Sequence, residues 1–539
     1  MNRQPPPMTE RPGPHSDVLV VGAGPTGLAL AAQLAAHGVR PRLIDRKLDR
    51  ARESRALAIQ PRTLEVLAGL GVSDELVRLG NPNVRLRLHA AGRVVSIPMF
   101  DLGLADTGYP FLLFLSQAET ERVLAEHLHT RGVRVERGVE LVSLAARDDL
   151  VSCRVRHRDG QHETLDASYV VGCDGAHSTV RKLAGIAFEG GSYPQTFILA
   201  DLEADGIDPG AAHVFLSAWG MLFFFPLVRP AGWRMLVMRP RSDPTPADAP
   251  VTLADVQRLA DAYTAGSVRL RDPVWMTNFQ LHHRGAAHYR SGRVFLAGDA
   301  AHIHSPAGAQ GMNTGIQDAA NLAWKLAHTV RGAGGALLET YEPERAPIGR
   351  AVLRMSDRAF TVATATNPLA RFARTRVAPA LLPLAVRAAG PRGYVLRAVS
   401  QLDIRYRHSQ LSVDRPDAPQ RGPRAGDRLP DAPVVRNGTP TTLHAALTAA
   451  GWHLLLCGPA GQRIDELDRL SSGMLTVHQL STTSGPGVLY DADGQVLHRL
   501  GLRAAQSATY LVRPDGHIGY RSGTVDPGPL ARYLDRWLP

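Results

Sequence analysis

Cysteine is nearly missing: Cys153, Cys173 and Cys457 are the only three in 539 residues. They are odd in number and no two stand in a Cys-x-x-Cys spacing, so neither a disulfide framework nor a thiolate zinc site is supported. Lysine is equally scarce. Of 61 basic residues only Lys47, Lys182 and Lys325 are lysine, and the arginines that make up the rest are spread along the whole chain. The net charge of +11 therefore forms no run or one-faced stripe of the kind a nucleic acid requires. With Ala, Gly and Pro also abundant, the arginine excess reads as a GC-rich coding bias. Long apolar runs are absent as well. The one stretch that imitates a membrane span, residues 18–36, is interrupted by Gly22, Gly24, Pro25, Thr26 and Gly27. Residues 1–16 are polar and proline-rich, lack the apolar core of a signal peptide, and read as a flexible tail. A reducing cytoplasm is expected, with no membrane and no nucleic acid as partner.

What is present suffices for more than one core: 44% of residues are hydrophobic and 21% charged, over a length of about three typical domains. Residues 18–21 are a short apolar run of β type, Gly22-Ala23-Gly24-Pro25-Thr26-Gly27 follows, and residues 28–36 favour helix and end at Gly38. Strand, glycine turn and helix are predicted. Gly22 permits the tight turn, Gly24 leaves room for a pyrophosphate, and Gly27 lets helix and strand pack closely, with the helix N-terminus facing the phosphates. A second strand over 41–44 delivers Asp45 to a position where a ribose hydroxyl can donate to it.

This fingerprint alone leaves FAD and NAD(P) open, and two later segments decide between them. Residues 169–181 run as a strand into the turn Cys173-Asp174-Gly175, followed by Ser178 and Arg181. Residues 293–313 run as another strand into Gly298-Asp299 and then a loop with Pro306, Gly308, Gly311, Met312 and Asn313. A helix predicted from Thr314 aims its first amides at whatever occupies that loop, a site for a negatively charged ring oxygen.

The three segments, in this order, resemble the FAD-dependent aromatic hydroxylases, the flavoprotein monooxygenase family of 4-hydroxybenzoate hydroxylase, phenol hydroxylase and the bacterial polyketide hydroxylases of antibiotic biosynthesis. Further matches are Ser54-Arg55-Ala56-Leu57, Ser116-Gln117 ahead of Glu121, and Tyr341-Glu342-Pro343-Glu344-Arg345. Ala309 departs from the second glycine that many members carry after Gly308, and resembles the 4-hydroxybenzoate branch there. The resemblance implies that Gly22, Gly24, Pro25, Thr26, Gly27, Asp45, Arg46 and Arg55 hold the ADP half of FAD, with Gln117 and Leu141 alongside. It further implies that Asp174 belongs to a turn shared with the transient nicotinamide cofactor, that Asp299 binds the ribityl chain, and that Gly311, Met312 and Asn313 meet the isoalloxazine edge. Asp174 has a plainer reading as a turn residue bonding its own backbone. His302 and His304 with Asp299, and the nearby His282-His283, suggest a metal by spacing alone; no helical H-x-x-x-H or cysteine partner supports one, and none is expected.

The fold expected from this is α/β: a Rossmann-type FAD-binding domain, an inserted β-sheet substrate domain and a thioredoxin-like C-terminal domain. The boundaries are 17–186 with 286–350 for the first, 187–285 for the second, a helical segment and linker over 351–420, and 421–539 for the third. Short β-type runs over 213–217, 221–228 and 233–238 supply the substrate sheet. In the family such a sheet covers the flavin ring, so Trp219, Phe223, Phe225, Leu227 and Pro306 are the expected substrate lining. Where the benzoate branch places a polar, cationic anchor this chain has Phe225-Pro226-Leu227, which points to a larger, mainly apolar, polycyclic phenol. In the last domain, strands over 452–456 and 509–513 surround Cys457-Gly458-Pro459-Ala460, similar to a thioredoxin active-site turn but with Ala460 in place of the second cysteine. An assembly or packing role is expected there.

The activity implied is hydroxylation with NADPH (NADH possible) and O2, through a flavin C4a-hydroperoxide, by a monomer or homodimer. No acid-base pair or nucleophile stands out, and flavin chemistry needs none. Baeyer-Villiger oxygenation of a polycyclic ketone on the same fold is the alternative, and a flavin-binding protein without oxygenase activity a more distant one.

Overall fold

The computed structural model describes residues 15–49, 56–90, 92–99, 103–217, 220–227, 231–239, 249–305, 309–364, 394–448, 450–459 and 473–538, with 372, 376, 377 and 381 singly. Arg55, Trp219, Pro306 and Ala460 lie outside these residues.

The first sheet is built on Ser16–Val21, whose apolar residues Val18, Leu19 and Val20 are wholly buried. It pairs in parallel with Arg42–Asp45 on one side and His162–Gly172 on the other, and Val135–Arg137 and Val294–Leu296 extend the parallel order outward. Such continuous apolar runs are what a parallel strand covered on both faces requires. Helix Pro25–Ala36 packs against helix Gly311–Val330, so the glycine turn and the later loop are brought side by side.

The second sheet is antiparallel through Phe188–Asp205, Arg269–Ala286, Trp233–Met238, Met221–Pro226 and Ala211–Leu216. Its faces alternate with period two. Leu222, Phe224, Met235 and Val237 pack with Val256, Leu259 and Ala260 of helix Leu253–Thr264, while Phe223 and Leu236 look the other way. The hairpin Arg85–Ala90 and Arg93–Pro98, which lies within the stretch 17–186, joins this sheet through the parallel pair Ala211–Leu216 with Arg85–Ala90.

The third sheet sets Trp452–Cys457 parallel to Leu475–Ser481 and antiparallel to Ala508–Val512, which pairs in turn with Ile518–Ser522. This is the thioredoxin-like arrangement. Buried ions tie it to the first unit: Arg513 donates to both oxygens of Glu344 (2.7 and 2.8 Å), and Lys325 donates to Glu344 at 2.7 Å. Asp515 receives Arg513 at 2.5 Å and Asn321 at 3.2 Å.

Candidate functional site

The turn after the first strand is shaped by backbone crowding. Gly22 has φ +103°, and a side-chain carbon there would stand 2.5 Å from the Cys173 carbonyl oxygen. At Gly27 the same carbon would stand 1.9 Å from the Gly22 carbonyl oxygen, so helix and turn touch. Gly24 differs: a carbon added there meets no atom of the described residues within 4 Å. Gly24 is also the N-cap of helix Pro25–Ala36, with no capping side chain among the described residues. Open space over uncapped amides is a cradle for a pyrophosphate.

Beside it is a cavity of about 190 Å³ whose walls include Gly22, Gly24, Asp45, Arg46, Gln117, Leu141 and Asp174. Seven sequence-predicted residues from five separate stretches therefore converge. Asp45 ends its strand with Oδ2 accepting from the Ala23 amide and Oδ1 from the Lys47 amide, each at 2.8 Å. The Gln117 segment is fastened to the one holding Ala56: the Gln117 amide donates to the Ala56 carbonyl (3.0 Å) and the Ala56 amide to Gln117 Oε1 (3.3 Å). Asp174 has an internal task as well. Its carboxylate accepts from Ser178 Oγ (2.5 Å) and from the Thr179 and Val180 amides (2.6 and 3.1 Å), capping helix Thr179–Leu183 while facing the cavity. Burial pushes its carboxyl up, against the pull of these donors.

Sequence reasoning missed Lys47, Glu121, Arg137 and His177, which also line this cavity. Arg137 arrives through the parallel register that sets it opposite Asp45, with Nη1 3.4 Å from the carboxylate. Glu121 was visible one helical turn after Gln117, whose Nε2 donates to it at 2.8 Å; burial raises its pKa.

Thr26 points away from the cavity. A carbon on Gly298 or Gly315 would lie 2.4 or 2.3 Å from its Oγ1, so the threonine fills a notch between those two glycines and locks the first helix to the second. Asp299 is exposed on the short turn Gly298–Ala300. Asp318 holds that turn from behind, accepting from the Gly298 amide (3.0 Å), His302 Nε2 (2.7 Å) and Arg345 Nε (2.7 Å).

Helix Gly311–Val330 begins three residues before its predicted start, placing Gly311, Met312 and Asn313 in its first turn with no capping side chain among the described residues. Asn313 spends its side chain on position: Oδ1 accepts from the Gln60 amide (2.8 Å), and Nδ2 donates to the carbonyls of Ala58 (2.9 Å) and Ala309 (2.8 Å). Ala309 is left-handed, φ +53°, which is the conformation a glycine takes without strain. Burial pushes the neighbouring His304 down to about 4, and its Nε2 is buried without a hydrogen-bond partner among the described residues. An uncapped helix start and an orphaned ring nitrogen suit a ligand with polar ring edges.

Phe225 of the second sheet packs with Phe114 on a buried cluster of Ala58, Val84, Leu112 and Ala212 that Leu57 and Ala309 also cover, and its ring is parallel to that of Phe223 at 5.6 Å. The apolar face thus reaches the loop that opens this helix. It is not wholly apolar. Arg234 pairs opposite Phe225 on the same face, fully buried, and is neutralised by Asp201 through two 2.7 Å bonds, with Trp275 Nε1 donating to the same carboxylate at 2.9 Å. Leu227 follows the strand, its amide donating to the Gly232 carbonyl at 2.8 Å.

Among the described residues no group of three or more His, Cys, Asp and Glu is placed to hold a metal, and no helix is long and apolar enough to cross a membrane. All three cysteines are buried, and burial pushes each thiol up.

A family model for the FAD binding domain matches residues 15–356, and one described as aromatic-ring hydroxylase, C-terminal, matches residues 422–539. The chain is 38% identical over 536 residues to 6-methylpretetramide 4-monooxygenase of Streptomyces rimosus, covering 96% of this chain and 92% of that one. Among solved structures it is similar to anhydrotetracycline hydroxylase from Streptomyces rimosus, with TM-score 0.78 and 30% identity over 97% of this chain and 99% of that one. A ternary complex of aklavinone-11 hydroxylase with FAD and aklavinone gives TM-score 0.80 and 28% identity over the same shares.

Proposed function

The chain belongs to the FAD-dependent aromatic-ring hydroxylases, an enzyme family of flavoprotein monooxygenases, and we propose that it uses NADPH and O2 to hydroxylate a largely apolar, polycyclic phenol of the polyketide kind. The observation that carries the substrate class is the stacked Phe223 and Phe225 face, of which Phe225 covers the same buried cluster as Ala309, the residue just before the N-cap of helix Gly311–Val330. An apolar wall rewards buried aromatic area at roughly 25 cal/mol per Å2, whereas a carboxylate there needs a free cation. Arg234 does not supply one, since Asp201 already takes two of its donors. Relatives whose names carry 6-methylpretetramide and anhydrotetracycline agree with that preference.

FAD, when bound, supplies the redox chemistry, accepting reducing equivalents and activating O2. The residues fit it in two places. Gly24 and the first amides of helix Pro25–Ala36 would receive the pyrophosphate, Asp45, Arg46, Gln117 and Leu141 would hold the adenosine half, and Asp299 would bind the ribityl chain. The Gly311, Met312 and Asn313 amides give a positive helix end to the ring edge where charge accumulates. Phe223 and Phe225 then have two tasks, to hold the aromatic substrate and to exclude water.

The reading is tested by loading the protein with FAD and following NADPH oxidation and product mass under labelled O2. Tricyclic and tetracyclic phenols are expected to gain one labelled oxygen. Hydroxylation of 4-hydroxybenzoate with no response to the larger phenols overturns the substrate class. A ketone converted to a lactone or ester with one labelled oxygen replaces hydroxylation by the Baeyer-Villiger reading.

A further inference from the structure

Gln401 lies between the two regions matched by family models, at the end of helix Tyr394–Val399, and its backbone is left-handed with φ +61°. No residue but glycine adopts that conformation without cost, and such strain persists only where the surroundings hold it. Here the surroundings are three side chains from the first two turns of the flavin-loop helix. Gln401 Nε2 donates to Gln310 Oε1 and to Thr314 Oγ1 (3.0 Å), and its Oε1 accepts from Gln317 Nε2 at 2.5 Å. Gln310 is the N-cap of that helix. It returns the contact by donating to the Val399 carbonyl at 2.9 Å. Gln401 is 2% exposed, Gln310 and Thr314 are fully buried, and the preceding Ser400 carbonyl accepts from the Arg62 amide at 3.3 Å. A carboxamide with both ends engaged, on a backbone bent to deliver it, is the mark of a residue placed to hold something still.

We propose that Gln401 is a positioning residue for the flavin ring site, fixing the start of helix Gly311–Val330 and so the aim of the Gly311, Met312 and Asn313 amides. Asn313 anchors the same turn to Ala58 and Gln60, on the segment whose Arg62 amide meets the Ser400 carbonyl, so the helix start is held by two segments that themselves touch. The proposal rests on the family reading above, because only a bound flavin gives those amides a target. Its electrostatic logic is that donors aimed at developing charge act only while their aim is kept.

The test compares Gln401→Gly, which removes the carboxamide while easing the backbone, with Gln401→Leu, which keeps the bulk and strands its three partners. Tyr510→Phe serves as control, since Tyr510 bonds the Leu500 carbonyl (2.8 Å) within the C-terminal domain, away from that helix. Each purified protein is titrated with FAD, and its visible spectrum, flavin midpoint potential and melting temperature are recorded. For Gln401→Gly the expected result is FAD binding weaker by about tenfold or more, a lower midpoint potential and more peroxide per NADPH, with melting of the FAD-free protein lowered by the stranded partners and only partly restored by the eased backbone. Tyr510→Phe is expected to move melting alone. If Gln401→Leu does not fold, Gln401→Gly decides. Wild-type affinity, spectrum and potential in the glycine variant, with or without a change in melting, overturn the positioning role and leave the family reading intact. A wild-type protein that takes up no FAD overturns both.

Discussion

At Gly24 a side-chain carbon meets no atom of the described residues within 4 Å, while three residues later, at Gly27, it would stand 1.9 Å from the Gly22 carbonyl oxygen. The two positions need glycine for opposite reasons. Gly24→Ala is expected to fold with wild-type melting and to lose FAD, because the added methyl occupies only the space the pyrophosphate needs. Gly27→Ala is expected to destabilise the protein itself by about 1–3 kcal/mol, since backbone must move to relieve the overlap. Melting of the FAD-free proteins together with FAD titration separates the two, and equal melting would overturn the distinction. These roles were legible because a tight turn is a local object. Thr26 was only half legible, since the motif names it for the cofactor while its filling of the Gly298 and Gly315 notch depends on residues brought from elsewhere, whereas the Asp174 cap on Thr179–Leu183 is local, made with Ser178, Thr179 and Val180 just downstream.

Among the elements, helix Gly311–Val330 organises the most, since Asp318 on it gathers the Gly298 amide, His302 and Arg345. Burial would raise the Asp318 carboxyl, but Arg345 and His302 outweigh it and hold it low. Asp318→Asn leaves Arg345 buried without its counter-charge, and a loss of about 3–5 kcal/mol is expected from denaturant unfolding. The Gly298–Ala300 turn loses its rear support at the same time, so weaker FAD binding should accompany the lost stability; an unchanged midpoint of unfolding would show that Tyr406 and the Thr314 carbonyl suffice for Arg345. Element types were legible where the period was strong: Trp233–Met238 stands over the predicted span and Trp452–Cys457 within one residue of it. The hairpin Arg85–Pro98 was not, because nothing in its own sequence announces that Ala211–Leu216, over a hundred residues away, will pair with it. Arg137 was missed for the same reason, being a product of register with Asp45 rather than of spacing.

At the scale of the whole molecule the C-terminal domain is wired into the flavin-bearing unit through buried charge and buried histidine. Cys457 is fully buried and its thiol is pushed well above its usual range, which agrees with a packing role and offers no thiolate for redox exchange. Trp452 of the C-terminal sheet donates from Nε1 to His328 Nε2 at 3.2 Å, and His328 stands in the last turn of helix Gly311–Val330 with His37 packed edge-on at 6.0 Å. Burial pushes His328 down to about 4 and His37 to about 3, so the folded protein keeps both neutral where an unfolded chain would protonate them below about 6.5. The unfolded state then binds more protons, and stability present above pH 6.5 is lost as the pH falls. Glu344 adds a second, lower step. Burial alone would raise it, but Arg513 and Lys325 hold it at about 2, so its contribution is complete above about 4.5 and disappears below. The expected profile of melting temperature is flat near pH 7–8, declines from about 6.5, and steepens below about 4.5. His328→Gln keeps an acceptor for Trp452 but cannot titrate, and it should flatten the decline between pH 6.5 and 5 while leaving the lower step. His328 alone can account for up to about 3 kcal/mol by pH 4, at about 1.4 kcal/mol for each pKa unit. A variant whose melting falls as steeply as the wild type between pH 6.5 and 5 would remove His328 from the account and leave the acid sensitivity to His37 and the other buried histidines.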